Sequence, residues 1–255
     1  MAGTGSLDPA SWDSRRTSFG SVAAEYATLR PGYPGAAVRF LLGDAPRRVL
    51  DVGAGTGLLT ERLLAAGHDV VAVDPSAEML EQLVARLPGV PTHQGPAEHL
   101  PLAAASVDAV LAGQAAHWFE PGGAAAEFRR VLRPGGVVGL VWNVRDERVP
   151  WVAALGELLA DEARGHEADQ TVVTAFAGAL PADLERTDVP HTQVVAPEQV
   201  VAGIGTRSYV ATMDDEGRAG FLDRVRRLLD THPGTRGRDR LELPYVTSAY
   251  RLSPR

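Results

Sequence analysis

Three alternating glycines follow a short apolar run, and one carboxylate lies just ahead of them, in the pattern Asp51-x-Gly53-x-Gly55-x-Gly57. Glycine suits a tight turn that a ligand must approach closely, because it adopts positive φ angles and has no side chain. An apolar helical pattern begins at Leu58, and the N–H groups at the start of that helix would face the same ligand. We therefore predict a strand, a turn and a helix that together bind a nucleotide-type cofactor.

The spacing of these glycines bears on which cofactor binds. The dinucleotide fingerprint is G-x-G-x-x-G, but here Gly57 comes one residue early and Leu58 stands where the third glycine belongs. The Gly-Lys-Ser/Thr ending of a phosphate-binding P-loop does not occur. Asp51 would repel a pyrophosphate and suits a ligand with a cationic end. An NAD-dependent dehydrogenase, and a turn whose glycines serve packing alone, remain the alternatives.

Asp74 follows the next apolar run, Val70 to Val73, at the place where α/β folds carry the acid that binds a ribose. A carboxylate accepts hydrogen bonds from two hydroxyl groups at once, which matches a ribose diol. Pro75 then restricts the backbone, and Ser76 is a suitable N-cap for the following helix. We predict that Asp74 binds the ribose; the alternative is an acid that only caps the helix.

A third group of chemically active side chains, Gln114-Ala-Ala-His117-Trp118, follows the predicted fourth strand. In an open α/β sheet the ligand crevice lies outside the carboxyl ends of the strands, so these residues should face the reacting group. His117 is a candidate general base, and Trp118 a candidate aromatic wall. The alternative is that both residues pack a loop. Trp142 and Asn143, at the end of the fifth strand, are expected to line the same pocket.

The elements that must position these residues alternate between apolar strands and amphipathic helices, which is typical of a parallel α/β sheet. Ahead of them, Val22, Tyr26 and Leu29 share one helical face that ends at Pro31. Tyr26 and Arg30 are candidates for contacts near the cofactor, and plain packing of the helix on the sheet is the alternative. Residues 1–17 are expected to be disordered.

Composition excludes several classes of protein. The chain has 255 residues, a net charge of -7 and no cysteine. Without cysteine there is neither a disulfide nor a cysteine nucleophile, and no metal site is predicted. An acidic chain lacks the basic footprint of a nucleic-acid-binding protein. Met1 to Asp13 contains no apolar signal segment, and no apolar run spans a bilayer, so we expect a cytoplasmic protein without membrane contact.

The Asp51 to Gly57 pattern resembles the first motif of the class I S-adenosylmethionine-dependent methyltransferases of the small-molecule type. The Gln114 to Trp118 stretch and Leu132-Arg-Pro-Gly-Gly136 are similar to stretches of that family, which includes trans-aconitate and quinone-pathway enzymes. The likeness spans residues 19–252. It implies an α/β fold with a Rossmann-like seven-stranded, mostly parallel sheet, helices on both faces and an antiparallel last strand. Residues 18–255 would form a single domain, with lid helices over 18–45 and a helical insertion over 145–190 above the substrate.

The resemblance also implies S-adenosylmethionine as the cofactor, S-adenosylhomocysteine as the product and a small molecule as the partner. Ala97 would supply an N–H group to the adenine, and Glu98 could replace the acid that the family often has at Pro96. The expected cofactor-binding residues are Tyr26, Arg30, Asp51, Gly53, Ala54, Gly55, Gly57, Asp74, Pro75, Ala97, Glu98 and Gln114. His117 is the expected catalytic residue, and Trp118, Trp142 and Asn143 are expected to contact the acceptor.

The implied reaction is methyl transfer to an oxygen, nitrogen or carbon atom by in-line displacement at the sulfonium. Two alternatives keep the cofactor: an enzyme that uses it for chemistry other than methyl transfer, and a non-catalytic module that binds it to regulate a partner. The sequence leaves the acceptor and the oligomeric state open.

Overall fold

The structure is a computed structural model that describes residues 30–159, 166–207, 210 and 213–255. Tyr26, the expected tail over residues 1–17 and the first of the expected lid helices lie outside the described residues.

Seven strands form one sheet in the order β3-β2-β1-β4-β5-β7-β6. The strands β1 to β5 pair in parallel, whereas β7 is antiparallel to both of its neighbours, β5 and β6. The predicted fold class is confirmed, including the last strand inserted antiparallel beside the fifth. The strands are β1 (Arg48–Val52), β2 (Asp69–Asp74), β3 (Thr92–Gln94), β4 (Val107–Gly113), β5 (Leu132–Arg145), β6 (Ala182–Val195) and β7 (Leu241–Pro254).

Helices cover both faces of the sheet. In the described ranges they are α1 (Gly35–Leu42), α2 (Leu58–Ala65), α3 (Ala77–Arg86), α4 (Pro121–Val131), α5 (Pro150–Leu158), α6 (His166–Ala179), α7 (Pro197–Gly205) and α8 (Asp215–Thr231). On one face α1, α2 and α3 pack against the sheet. On the other face α4 and α6 pack against it, with the rings of Phe128 and Phe176 stacked 5.8 Å apart.

Helix α1 corrects part of the expected lid. Its residues Ala37, Val38, Leu41 and Leu42 are buried, and the Leu41 side chain lies against Gly139 in the middle of β5. The helix therefore covers a face of the sheet and is not a lid above the cofactor. Its apolar periodicity fits both positions, because periodicity reveals that a face is buried but not against what.

Strand β6 corrects the expected insertion over residues 145–190. Helix α6 ends at Ala179, and the strand begins at Ala182. Most β6 side chains are exposed or half-buried because the strand lies at the edge of the sheet. An edge strand carries little of the continuous apolar signal of β1 and β2, so the sequence pattern did not reveal that a strand begins at Ala182.

A second apolar cluster lies beyond the carboxyl edge of the sheet. It joins α5, α7 and α8 to the ends of β6 and β7, with Trp151, Ile204, Val225 and Leu243 among its buried residues. Segments on both sides of β6 contribute to this cluster, which we call the roof. Within the described part of the chain, none of the helices combines the length and the apolar composition needed to cross a membrane.

Candidate active site

A cavity of about 940 Å³ lies between the carboxyl edge of the sheet and the roof. Most of the residues predicted for the site line this cavity, although they come from five different segments of the chain. These residues are Arg30, Asp51, Gly53, Ala54, Gly55, Asp74, Pro75, Gln114, His117, Trp118, Trp142 and Asn143.

The glycine loop leaves β1 and bends at once toward β2. The N–H groups of Gly53 and Ala54 donate to the carbonyl of Val73 over 2.8 and 3.1 Å. Gly53, Gly55 and Gly57 have φ angles of +66°, +54° and +85°, a region that favours glycine. A Cβ atom on Gly53 would lie 2.5 Å from the Cβ of Ala115, whereas one on Gly55 would meet nothing within 4 Å. Gly53 is therefore required for packing, and Gly55 faces open space.

Asp51 is completely buried beneath the loop. Its Oδ2 atom accepts a hydrogen bond from the Thr60 hydroxyl over 2.6 Å, while Oδ1 has no hydrogen-bond partner among the described residues. Burial, assisted by the neighbouring negative charge of Asp74, raises the pKa of Asp51 to about 7, although the Thr60 bond opposes this rise. A buried carboxylate oxygen beside a cavity is suited to an ammonium group.

Asp74 stands at the end of β2 with a fixed carboxylate. Its Oδ2 atom accepts from the N–H group of Gly55 over 2.8 Å, and its Oδ1 atom accepts from that of Ser76 over 2.9 Å. These bonds tie the ends of β1 and β2 together and orient the carboxylate beside the loop. Ser76 in turn caps α3 by accepting from the N–H group of Met79. Helix capping was the alternative role for Asp74, but the N-cap of α3 is Ser76.

The raised pKa of Asp51 predicts pH-dependent cofactor binding. An ammonium group favours the ionised carboxylate, so binding should release a proton, and affinity should rise as the pH rises to about 7 and then level off. Because the folded protein holds this proton and the unfolded chain does not, the same group should destabilise the fold as pH rises from 3.8 to about 7.

Calorimetry across this range, in two buffers of different ionisation enthalpy, measures both the affinity and the proton release. Asp51→Asn keeps an acceptor for Thr60 but does not titrate, so its affinity should be lower above pH 7 and nearly independent of pH. A wild-type affinity that stays flat across the range contradicts the assignment of Asp51.

Gln114 and Asn143 connect the ends of β4 and β5. The Gln114 side chain accepts from the backbone N–H group of Asn143 over 3.1 Å and donates to its carbonyl over 3.2 Å. The Asn143 amide donates to the carbonyls of Pro31 and Gly32, and its Oδ1 atom accepts from Thr247. Both side chains line the cavity, and these bonds fix the segment that carries Arg30 over the carboxyl edge of the sheet.

Aromatic groups form the wall beyond β4. The rings of His117 and Trp118 lie 4.9 Å apart at an angle of 45°, on a short 3₁₀ helix over Ala116–Trp118. Trp142 is buried, packs edge-on against Tyr250, and has an indole N–H group without a hydrogen-bond partner in the described ranges. The predicted acceptor residues Trp118, Trp142 and Asn143 all line the cavity.

Three predicted site residues do not line the cavity. Gly57 begins α2, and a Cβ atom there would lie 2.8 Å from Leu83, so its role in this structure is close packing. Ala97 is buried in the core cluster on the α4 face. Glu98 accepts a hydrogen bond from the backbone N–H group of Glu120 over 2.7 Å. Their assignment to the cofactor stays a prediction.

Several cavity residues were missed by the sequence reasoning. Tyr33 and Gln94 were close to predicted positions: Tyr33 lies in the Pro-Gly-Tyr-Pro stretch, and Gln94 pairs with Asp74 at the end of β3. None of the sequence motifs includes Arg145, Arg207 or Tyr245, although Arg145 ends the fifth strand. The position of a residue at a carboxyl strand end was the signal that could have found Gln94 and Arg145.

Comparisons with known proteins agree with this geometry. A family model described as a methyltransferase domain matches residues 50–140. An uncharacterized methyltransferase of Mycobacterium tuberculosis is 47% identical over 236 residues, which cover 92% of this chain and 95% of the relative. A malonyl-[acyl-carrier protein] O-methyltransferase of Enterobacter lignolyticus is 32% identical over 68% of each chain.

Solved structures show the same fold. A protein of Anaeromyxobacter dehalogenans proposed to be a type II methyltransferase superposes with a TM-score of 0.65 at 28% identity, covering 88% of this chain and 97% of the other. A protein from Anabaena variabilis superposes with a TM-score of 0.62 at 22% identity, covering 85% and 95% of the two chains, and supports the fold alone. The chain belongs to the class I S-adenosylmethionine-dependent methyltransferases, and S-adenosylmethionine is its cofactor.

Proposed function

We propose that this methyltransferase acts on a small molecule that binds between the cofactor loop and the roof. The observation that carries the proposal is the size and shape of the cavity. Pockets for one drug-sized ligand occupy about 300–1,000 Å³. A cavity of about 940 Å³ that runs from Asp74 to Ile204 supports a cofactor and a second small ligand side by side.

The described residues fit the cofactor at the loop end of this cavity. Asp51 offers a buried carboxylate oxygen to the ammonium group, and Asp74 offers an oriented carboxylate to the ribose hydroxyls. Gly55 leaves open space for close approach of the ligand. Arg30 lies at the cavity on the segment held by Asn143, and we assign it to the carboxylate of the cofactor.

The bound cofactor supplies an electrophilic methyl group on a sulfonium ion. The protein must then hold the acceptor atom in line with that methyl group and keep water out. Trp118 and Trp142 wall the space where this atom would lie. When the acceptor arrives protonated, we assign the removal of its proton to His117, which lines the same space.

Oxygen, nitrogen and carbon are all compatible with this mechanism as the acceptor atom. The relative named malonyl-[acyl-carrier protein] O-methyltransferase supports oxygen as one acceptor within the family. That name describes an acceptor carried by a protein, so an experiment has to separate free small molecules from macromolecules.

A labelling experiment makes this separation. The protein is incubated with methyl-labelled S-adenosylmethionine and a cell extract divided into small-molecule and macromolecular fractions. We expect the label in small molecules, and label found only in the macromolecular fraction contradicts the proposal.

Two variants of Gln199 test whether the acceptor lies under the roof. Gln199 lines the cavity from the exposed side of α7, and its side chain accepts from the N–H group of Ala196. Gln199→Trp loses this bond and fills part of the cavity, whereas Gln199→Ala only loses the bond. Labelling should fall at least about tenfold in the tryptophan variant relative to the alanine variant, with binding of S-adenosylhomocysteine equal in both. Equal labelling by the two variants would place the acceptor elsewhere.

The role of His117 predicts a split between turnover and binding. His117→Ala should lower the turnover number by about 10²–10⁴-fold for an acceptor that must lose a proton. The affinity for S-adenosylhomocysteine, measured by calorimetry, should change little. His93→Ala, on the edge strand β3 and exposed, serves as the control. Turnover that survives in His117→Ala would leave His117 as a wall of the pocket only.

A further inference from the structure

The charges around the cavity are separated. Of the described ionisable residues that line it, Asp51 and Asp74 lie at the ends of β1 and β2, and Glu78 lies in the first turn of α3. The arginines lie on other segments: one precedes α1, one ends β5 and one follows α7. The lining arginines are Arg30, Arg145 and Arg207.

A row of side chains crosses the three strands beneath the roof. Arg145 on β5 pairs directly with Tyr245 on β7, and Tyr245 pairs directly with His191 on β6. Residues directly opposite each other across antiparallel strands project from the same face. The rings of His191 and Tyr245 are stacked with centroids 5.6 Å apart. Arg145 therefore lies next to a phenol that is held in place from its other side.

Three arginines line the same cavity as this phenol, and Arg145 is its direct neighbour across the strands. Tyr245 is buried, and burial raises the pKa of its hydroxyl, whereas the positive charges of Arg145, Arg207 and Arg30 act to lower it. Arg207 lies in the chain just after α7.

One acidic residue that lines the cavity, Asp169, lies on the other face of the sheet from Tyr245. Asp169 on α6 also lines the cavity, but its charge acts on Tyr250. Tyr250 and Tyr245 are five positions apart on β7, so their side chains project from opposite faces of the sheet. The wall at Tyr245 is thus cationic in a chain whose net charge is -7.

Apolar side chains complete this end of the cavity. They come from α5, α7 and the ends of β6 and β7, and they are Leu155, Val195, Val200, Ile204 and Leu243. Binding sites of this kind fix a ligand through a few polar groups while its body packs on apolar walls. Planar guanidinium groups are suited to carboxylates and phosphates, which they can bind with two parallel hydrogen bonds.

We propose that Arg145 and Arg207, together with the Tyr245 hydroxyl, bind an oxyanion of the methyl acceptor, whose apolar body packs beneath α7. The acceptor class is thus an amphipathic carboxylate or phosphate. This inference rests on the proposed function, in which the acceptor occupies the cavity beside the cofactor. Arg30 keeps its assignment to the cofactor carboxylate, so the arginines divide between two ligands.

Binding of simple probes to the protein saturated with S-adenosylhomocysteine tests the proposal. The probes are hexanoate and benzoate, phenyl phosphate, and the neutral hexanamide and benzamide, with dissociation constants measured by ligand-observed NMR. At least one class of anion should bind about tenfold or more tightly than the matched amides. The dissociation constants of the carboxylates and of phenyl phosphate show which of the two oxyanions the site prefers. Anions that bind no better than their amides overturn the proposal.

Three arginine variants locate the subsite. Arg145→Gln and Arg207→Gln should each weaken the preferred anion about tenfold or more, while affinity for S-adenosylhomocysteine stays within about twofold. Arg148→Gln is the matched control: Arg148 is three positions from Arg145, its side chain is 79% exposed, and it pairs with Asp146 outside the cavity. Arg145→Lys and Arg207→Lys should keep part of the anion binding that the glutamine variants lose.

The outcomes separate this inference from the proposed function. If Arg145→Gln and Arg207→Gln weaken S-adenosylhomocysteine as strongly as Arg30→Gln does, the arginines serve the cofactor and the proposal is wrong. Anion binding that is unchanged in both variants also overturns it, even when labelling of small molecules supports the proposed function. Label found only in macromolecules contradicts the proposed function, whatever the probes show.

Discussion

Replacing Asp74 with alanine is expected to weaken binding of S-adenosylmethionine and S-adenosylhomocysteine at least about a hundredfold. Hydrogen bonds to a charged group contribute about 1.5–3 kcal/mol each, and the variant loses the acceptor for two ribose hydroxyls. It also loses the bonds that the carboxylate accepts from Gly55 and Ser76, so the loop itself loosens. Calorimetry with both ligands measures the change directly.

Two further variants show whether the loss concerns the ribose. Asp74→Asn keeps one acceptor oxygen and should fall between wild type and Asp74→Ala. Asp69→Ala removes an acid from the opposite end of the same strand, where the side chain is 64% exposed, and should bind like wild type. Unchanged affinity in Asp74→Ala, with the melting temperature also unchanged, would refute the ribose assignment.

Replacing Gly53 with alanine is expected to abolish most cofactor binding and to lower the melting temperature. The left-handed backbone, at φ +66°, costs an alanine about 1–2 kcal/mol. The new Cβ atom would also lie 2.5 Å from that of Ala115, so the loop or the segment before His117 must move. Overpacking of this kind costs about 1–3 kcal/mol, and for a chain of this size each kcal/mol lowers the melting temperature by about 2–4 °C.

Gly67→Ala separates the clash from the backbone strain. Gly67 has a φ of +85°, and a Cβ atom there would meet nothing within 4 Å. This variant should therefore lose only the stability that the left-handed backbone costs an alanine. It should bind the cofactor with the affinity of wild type, because Gly67 does not line the cavity. Equal behaviour of the two variants in calorimetry and thermal unfolding would show that contact with Ala115 is unimportant.

The central part of the site was predictable because its signals are local. The turn after β1 needs positive φ angles at glycines, and the acid at the end of β2 follows a continuous apolar strand; both are visible in a few neighbouring residues. The rule that ligands bind at the carboxyl ends of parallel strands then placed Gln114, His117 and Trp142 near one another. All of these residues line the cavity.

The errors arose where one local pattern fits several tertiary positions. The apolar face of α1 was consistent with a lid and with a sheet-packing helix, and only its contact with β5 decided between them. Strand β6 is exposed on the edge of the sheet, so its side chains carry little apolar periodicity. The cofactor contact expected of Glu98 stays a prediction; in the structure its carboxylate accepts a hydrogen bond from the start of α4.

By itself, the sequence indicated the family, the glycine loop and a mostly parallel α/β sheet, because these depend on backbone geometry and hydrophobic patterns over short spans. The tertiary structure alone decided the composition of the far wall. Arg145 and Tyr245 are a hundred positions apart and become neighbours only when β7 inserts antiparallel beside β5. Arg207 joins them because α7 packs over the same strand ends. Long-range pairing therefore set the charge of the wall at which we propose that the acceptor binds, and no local pattern encodes it.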